Sequence, residues 1–124
     1  MNTLTLLMIL EDDPTSLYLL ERYLRRSIYR VISTTRGEDA LALARQENPT
    51  MILLDALLSG MSGWDVLQAL KADPVTCFIP VIICSEQDEA DRAREAGATA
   101  FLRKPYSPDD LWGALGGGAD MPVR

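Results

Sequence analysis

A chain of 124 residues, 48% hydrophobic and 24% charged, has the composition of one globular domain built on one core. Its formal charge is −6 and its 12 basic residues form no tract, which excludes a nucleic-acid footprint of clustered lysine and arginine. The chain has no histidine, and its two cysteines form no CxxC, so a zinc site, a Cys/His or Ser/His catalyst and a disulfide scaffold are all excluded.

The elements alternate along the chain. Leu6–Leu10 reads as a strand: it is too short to cross a membrane and runs straight into acids, so a cytoplasmic protein without membrane insertion is expected. Pro14–Ser27 follows as an amphipathic helix with Leu17, Leu20, Leu24 and Ile28 on one stripe, and Arg22, Arg25 and Arg26 form its solvated face. Arg30–Thr34 is a short edge strand, and Glu38–Gln46 is a helix with Ala40, Leu41 and Ala44 inward. Met51–Leu54 is a third strand, and Gly63–Ala72 a helix on Val66, Leu67 and Leu70. Pro80–Cys84 is a fourth strand, then Asp88–Ala96 a helix stopped by Gly97. Thr99–Leu102 is the fifth strand, and Ser107–Leu115 a last short helix with Ser107 as N-cap and Pro108 at its first position. Five β-α units in succession call for a parallel sheet covered by helices on both faces, because crossovers are right-handed. Residues 1–118 are expected to form that single domain, with 119–124 a short tail and no output domain.

Polar residues close four of these strands. Glu11, Asp12 and Asp13 follow the first, Asp55 the third, Ser85 the fourth, and Lys104-Pro105 the fifth. In open α/β sheets ligands bind at that end of the strands. Crowded carboxylates hold protons or a hard cation, and Mg²⁺ needs only one or two of them beside a donor phosphate. Asp13 stands apart, since Asp-Pro at a helix start is an N-cap followed by a first-position proline.

The ordered set of Glu11-Asp12, Asp55 with Gly63 eight residues on, Ser85, and Phe101 with Lys104-Pro105 resembles the receiver domains of two-component response regulators, over Leu6 to about Leu115. The resemblance implies a flavodoxin-like doubly wound sheet and a signalling phosphoacceptor rather than a turnover enzyme. Asp55 would take a phosphoryl group, with Mg²⁺, from a histidine kinase or phosphotransfer protein, and the product would change affinity for a downstream protein partner. By the same resemblance Asp12, Asp55 and the backbone carbonyl of Leu57 ligate Mg²⁺, with Glu11 acting through water. Lys104 pairs with Asp55 at rest and with the phosphoryl oxygen afterwards, and the Lys104–Pro105 bond is cis. Ser85 gives its hydroxyl to the phosphoryl group while Phe101 follows into the space it leaves. Leu57 and Gln87 stand at the positions that tune the lifetime of the acyl phosphate. Leu57 cannot orient a water, so a long-lived phosphorylated state is expected.

Three departures stand out. Leu58-Ser59 replaces the usual Met-Pro, which predicts a freer loop, and Glu86 follows Ser85 where a small residue is common. Lys104 stands nineteen positions after Ser85, against about three more in most receivers, close to one helical turn of about 3.6 residues. The shortfall lies between Ser85 and Gly97, so the fourth helix is shortened, as is the fifth, and these border the usual output face. Two other readings compete: a receiver-like interaction module that works without phosphate, and a Mg²⁺-dependent aspartyl-phosphate phosphatase using the Glu11/Asp13 spacing. No glycine-rich loop follows the first strand, which counts against a nucleotide site.

Overall fold

The computed structural model describes residues 5–25 and 27–116; the expected tail, and the domain boundary at 118, lie outside them. The chain runs β1 (Thr5–Leu10), α1 (Pro14–Leu24), β2 (Tyr29–Thr34), α2 (Gly37–Glu47), β3 (Met51–Asp55), α3 (Gly63–Ala72), β4 (Val81–Ser85), α4 (Ala90–Glu95), β5 (Ala100–Arg103) and α5 (Pro108–Ala114). All strand pairs are parallel, and the sheet order is β2-β1-β3-β4-β5, with β2 at an edge as expected.

Two-residue alternation divides the strands between two cores. Met8, Leu10, Ile52, Leu54, Val81 and Ile83 face one side, where Ala40, Ala44, Val66, Leu67, Leu70 and Ala93 of α2, α3 and α4 meet them. Leu7, Ile9, Leu53, Ile82 and Cys84 face the other, under Leu20, Leu24, Leu111 and Trp112 of α1 and α5. Trp112 is buried there and stacks on Tyr23 and Tyr29 with centroids 5.6 and 6.4 Å away. The central strands are thus buried on both faces, which is why they read as unbroken aliphatic runs.

Helix ends follow local chemistry. Asp13 caps α1 by accepting from the Ser16 amide, and Ser107 and Asp110 form a reciprocal capping box on α5. The first helix ends at Leu24 rather than Ser27, because the Ser27 amide and hydroxyl both donate to the Leu24 carbonyl, at 3.0 and 2.7 Å, and close it. Ile28 still packs on the second core from outside the helix. The fourth helix begins at Ala90, two residues later than expected, and has six residues, while Gly97 follows it with φ +93°. Among the described residues no helix is long and apolar enough to cross a membrane.

Candidate phosphoacceptor site

Parallel strands deliver their carboxyl ends to one edge of the sheet. β1 and β3 are neighbours with Leu10 opposite Leu54, so Glu11 and Asp55 emerge side by side. β4 brings Ser85 to the same edge, and the Lys104 amide donates to the Ser85 carbonyl at 2.8 Å, which sets the start of the β5–α5 loop. The Lys104–Pro105 peptide is cis. From there the Lys104 ammonium donates to Asp55 Oδ2 at 2.8 Å and to Glu11 Oε1 at 3.0 Å. Glu11, Asp12 and Asp55 each offer an oxygen, all within 4.8 Å of one another.

The surrounding backbone fixes these groups. The Leu57 amide donates to Asp55 Oδ1 at 3.1 Å, so one carboxylate oxygen is held by the chain and the other by Lys104. Gly63 is required where α3 begins: a Cβ there would run into the Asp55 carbonyl oxygen and stand 2.6 Å from Ala56 Cα. Asp13 is turned outward by its capping bonds to Ser16, 3.1 Å to the amide and 2.7 Å to the hydroxyl. It takes no part in the acid cluster, which removes the residue pair the phosphatase reading needed.

Burial and crowding set the electrostatics. Burial, followed by the hydrogen-bonded carboxylate of Asp55, pushes Glu11 up to about 7, although Lys104 opposes the shift. Burial alone would lower the Lys104 ammonium, but its bonds to Asp55 and Glu11 outweigh burial and raise it above its ordinary value. Burial pushes the Cys84 thiol up to about 12 and also raises Tyr106. Cys84 is inert beneath the site, as a buried structural thiol should be. Three carboxylates facing one ammonium leave surplus negative charge on hard oxygen donors, the donor set that suits a divalent cation such as Mg²⁺.

Ser85 and Phe101 share the face of the sheet that α3 and α4 cover, with Phe101 opposite Ile83 and packed against the first core. The Ser85 hydroxyl is engaged elsewhere: it donates to Glu89 Oε2 at 2.7 Å and accepts from the Gln87 amide at 3.1 Å. The Leu57 and Gln87 side chains are exposed. The loop after Asp55, expected to be freer without proline, is pinned instead. Ser59 donates to Asp12 Oδ2 through both its amide, at 2.8 Å, and its hydroxyl, at 2.6 Å, while Leu58 is buried. Sequence reasoning passed over Ser59 and Glu89. The signal for Ser59 is a hydroxyl standing where the loop must meet the acids, and for Glu89 an acceptor four residues after a strand-end serine.

The chain belongs to the response regulator receiver domain family, whose model matches residues 7–115. It is 35% identical over 108 residues to Protein PilH of Pseudomonas aeruginosa, spanning 85% of this chain and 89% of that one. A solved structure described as a response regulator from Chloroflexus aurantiacus superposes with a TM-score of 0.85 at 30% identity, over 91% of this chain and 95% of the other. The receiver domain of a sensor histidine kinase from Pseudomonas aeruginosa PAO1, solved with a magnesium ion in its active-site cleft, shares the fold at TM-score 0.82 and 24% identity, over 91% and 95%. The protein is therefore a receiver domain of two-component signalling.

Proposed function

We propose that this receiver accepts a phosphoryl group on Asp55 in the cytoplasm, from a histidine kinase or phosphotransfer protein, and signals through altered affinity for a protein partner. The observation that carries the reading is the convergence of Glu11, Asp12 and Asp55 on one point beside the Lys104 ammonium. Asp55 Oδ1 and Oδ2 are each held by one donor, which leaves the carboxylate oriented at the rim of the sheet. In the reaction an Asp55 oxygen bonds to phosphorus, and the bond from phosphorus to the donor breaks with its electron pair leaving on the donor. A bound Mg²⁺ supplies the positive charge that lets an anionic carboxylate approach an anionic donor. Glu11, Asp12 and Asp55 are the residues to hold it. Lys104 moves from Asp55 to an oxygen of the incoming phosphoryl group and keeps it paired.

A groove of about 1300 Å³ runs from Glu11 and Lys104 along Leu19, Leu20 and Tyr23 of α1 to Pro105. Its apolar wall, with Leu19 more than half exposed, suits a protein donor better than a small one. The domain catalyses its own phosphorylation, so its output is recognition rather than turnover, and exposed Leu57, which cannot position a water, favours a long-lived product. Incubation with acetyl phosphate and Mg²⁺ is expected to add one phosphoryl group by intact mass, lost without metal and in Asp55→Asn. No adduct while Mg²⁺ binds weakly or not at all would favour a phosphate-independent module, and multiple turnover of a phosphoester would favour a phosphatase.

A further inference from the structure

The Ser85 hydroxyl has one proton to donate, and the structure gives it to Glu89. Ser85 is the buried last residue of β4, and Glu89 is the N-cap residue of α4, four positions on and 2.7 Å away. Only Glu86, Gln87 and Asp88 lie between the two. Glu89 has a second engagement. Its Oε1 pairs with Arg92 at 3.4 Å, and the Arg92 guanidinium lies 4.2 Å from the ring centroid of Trp64 on α3. Ser85, Glu89, Arg92 and Trp64 therefore form one continuous polar path from the phosphoacceptor edge to the outer surface of α3. The Glu89 carboxylate is only 21% exposed, so its hydrogen bond to Ser85 is shielded from water.

We infer that Glu89 is a positioning residue that latches the Ser85 hydroxyl in the resting state, and that the phosphoryl group on Asp55 competes with it for the same proton donor. The inference rests on the reading of Asp55 as phosphoacceptor. One hydroxyl cannot donate to both anions, so phosphorylation has to break the Ser85–Glu89 bond, and breaking it frees Glu89 Oε2 to join Oε1 in taking Arg92 fully. Arg92 then leaves the face of Trp64. No covalent bond changes in this exchange; the serine keeps its proton and turns it to a new acceptor. The device couples the pocket to the α3–α4 surface through side chains.

The test combines phosphorylation rates with the indole signals of the two tryptophans, assigned with Trp64→Phe. With acetyl phosphate and Mg²⁺, Glu89→Ala is expected to phosphorylate about tenfold faster than wild type, the scale of one charge-assisted hydrogen bond. Glu89→Gln, which keeps a neutral acceptor and the shape of the cap, falls between them and carries the test if the alanine variant does not fold. In a Ser85→Ala background the gain disappears, whereas a simple charge effect of Glu89 on an anionic donor would persist. The Trp64 indole shifts when wild type is phosphorylated, and phosphorylated Glu89→Ala, which has no carboxylate to draw Arg92 off the ring, does not show that shift. A gain that survives in Ser85→Ala, a rate unchanged by both Glu89 variants, or a Trp64 signal indifferent to phosphorylation overturns the latch and leaves Asp55 as phosphoacceptor. A wild-type protein that takes no phosphoryl group at all overturns both.

Discussion

Glu11 carries most of the electrostatic tension at the site. It is buried, bonded to Lys104 and set against Asp55, and its carboxyl rises from an ordinary 4.5 to about 7. A group whose value rises on folding favours the folded state most below its ordinary value, and that contribution drains away as pH passes the raised one. Metal-free protein should therefore lose on the order of 3 kcal/mol between about pH 4.5 and pH 7 from this residue. Lys104 is raised instead and stays charged throughout that window, so it does not mask the loss. Chemical denaturation across the window checks this: saturating Mg²⁺ or Glu11→Gln should flatten the fall, and an equal slope in Glu11→Gln would refute the assignment. The residues that define the pocket were legible because each closes an apolar run, so the fold fixes their place once the runs are recognised as strands. Ser59 and Glu89 were legible only as residue types at suggestive positions, not as the contacts they make. Their partners depend on how two loops bend, and nothing in a local run of residues encodes that.

At the level of elements, the turn from β3 into α3 is a close-packed joint. The Gly63 amide donates to the Ala56 carbonyl at 2.9 Å, and Ser62 caps the helix through the Asp65 amide. Because the backbone of Asp55 and Ala56 lies against Gly63, added atoms have nowhere to go. Gly63→Ala should cost about 3 kcal/mol or more, the range of overpacking against rigid backbone, and should weaken phosphorylation with it. Urea unfolding measures the cost, and a loss below about 1 kcal/mol would show that the joint is softer than its geometry implies. Helices were located correctly by their apolar stripes, with ends misjudged where polar side chains decide them. Ser27 ends α1 early by taking the Leu24 carbonyl, and α4 starts late with Glu89 as its N-cap, whose carbonyl accepts from the Ala93 amide at 2.9 Å while its side chain accepts from Ser85. The shortened fourth helix was visible as missing residues; what those residues are replaced by was not.

For the whole molecule, the order β2-β1-β3-β4-β5 is what makes a site of scattered residues. The chain reverses direction of winding between β1 and β3, and the crevice formed there is where Glu11, Asp12 and Asp55 converge. Two cores of alternating strand residues hold that edge from both sides, α1 and α5 on one, α2, α3 and α4 on the other. Alternation of strands and helices announced this architecture, since parallel crossovers of one hand leave little freedom. The assignment of Asp55 as the group that reacts is the claim from which the rest follows. Borohydride reduction after treatment with acetyl phosphate and Mg²⁺ tests it most directly, because it converts an aspartyl phosphate to homoserine and marks the position by peptide mass. Homoserine at position 55 and at no other acid is the expected result; homoserine at position 12 or 13, or none in a protein shown to carry the phosphoryl group, would contradict it.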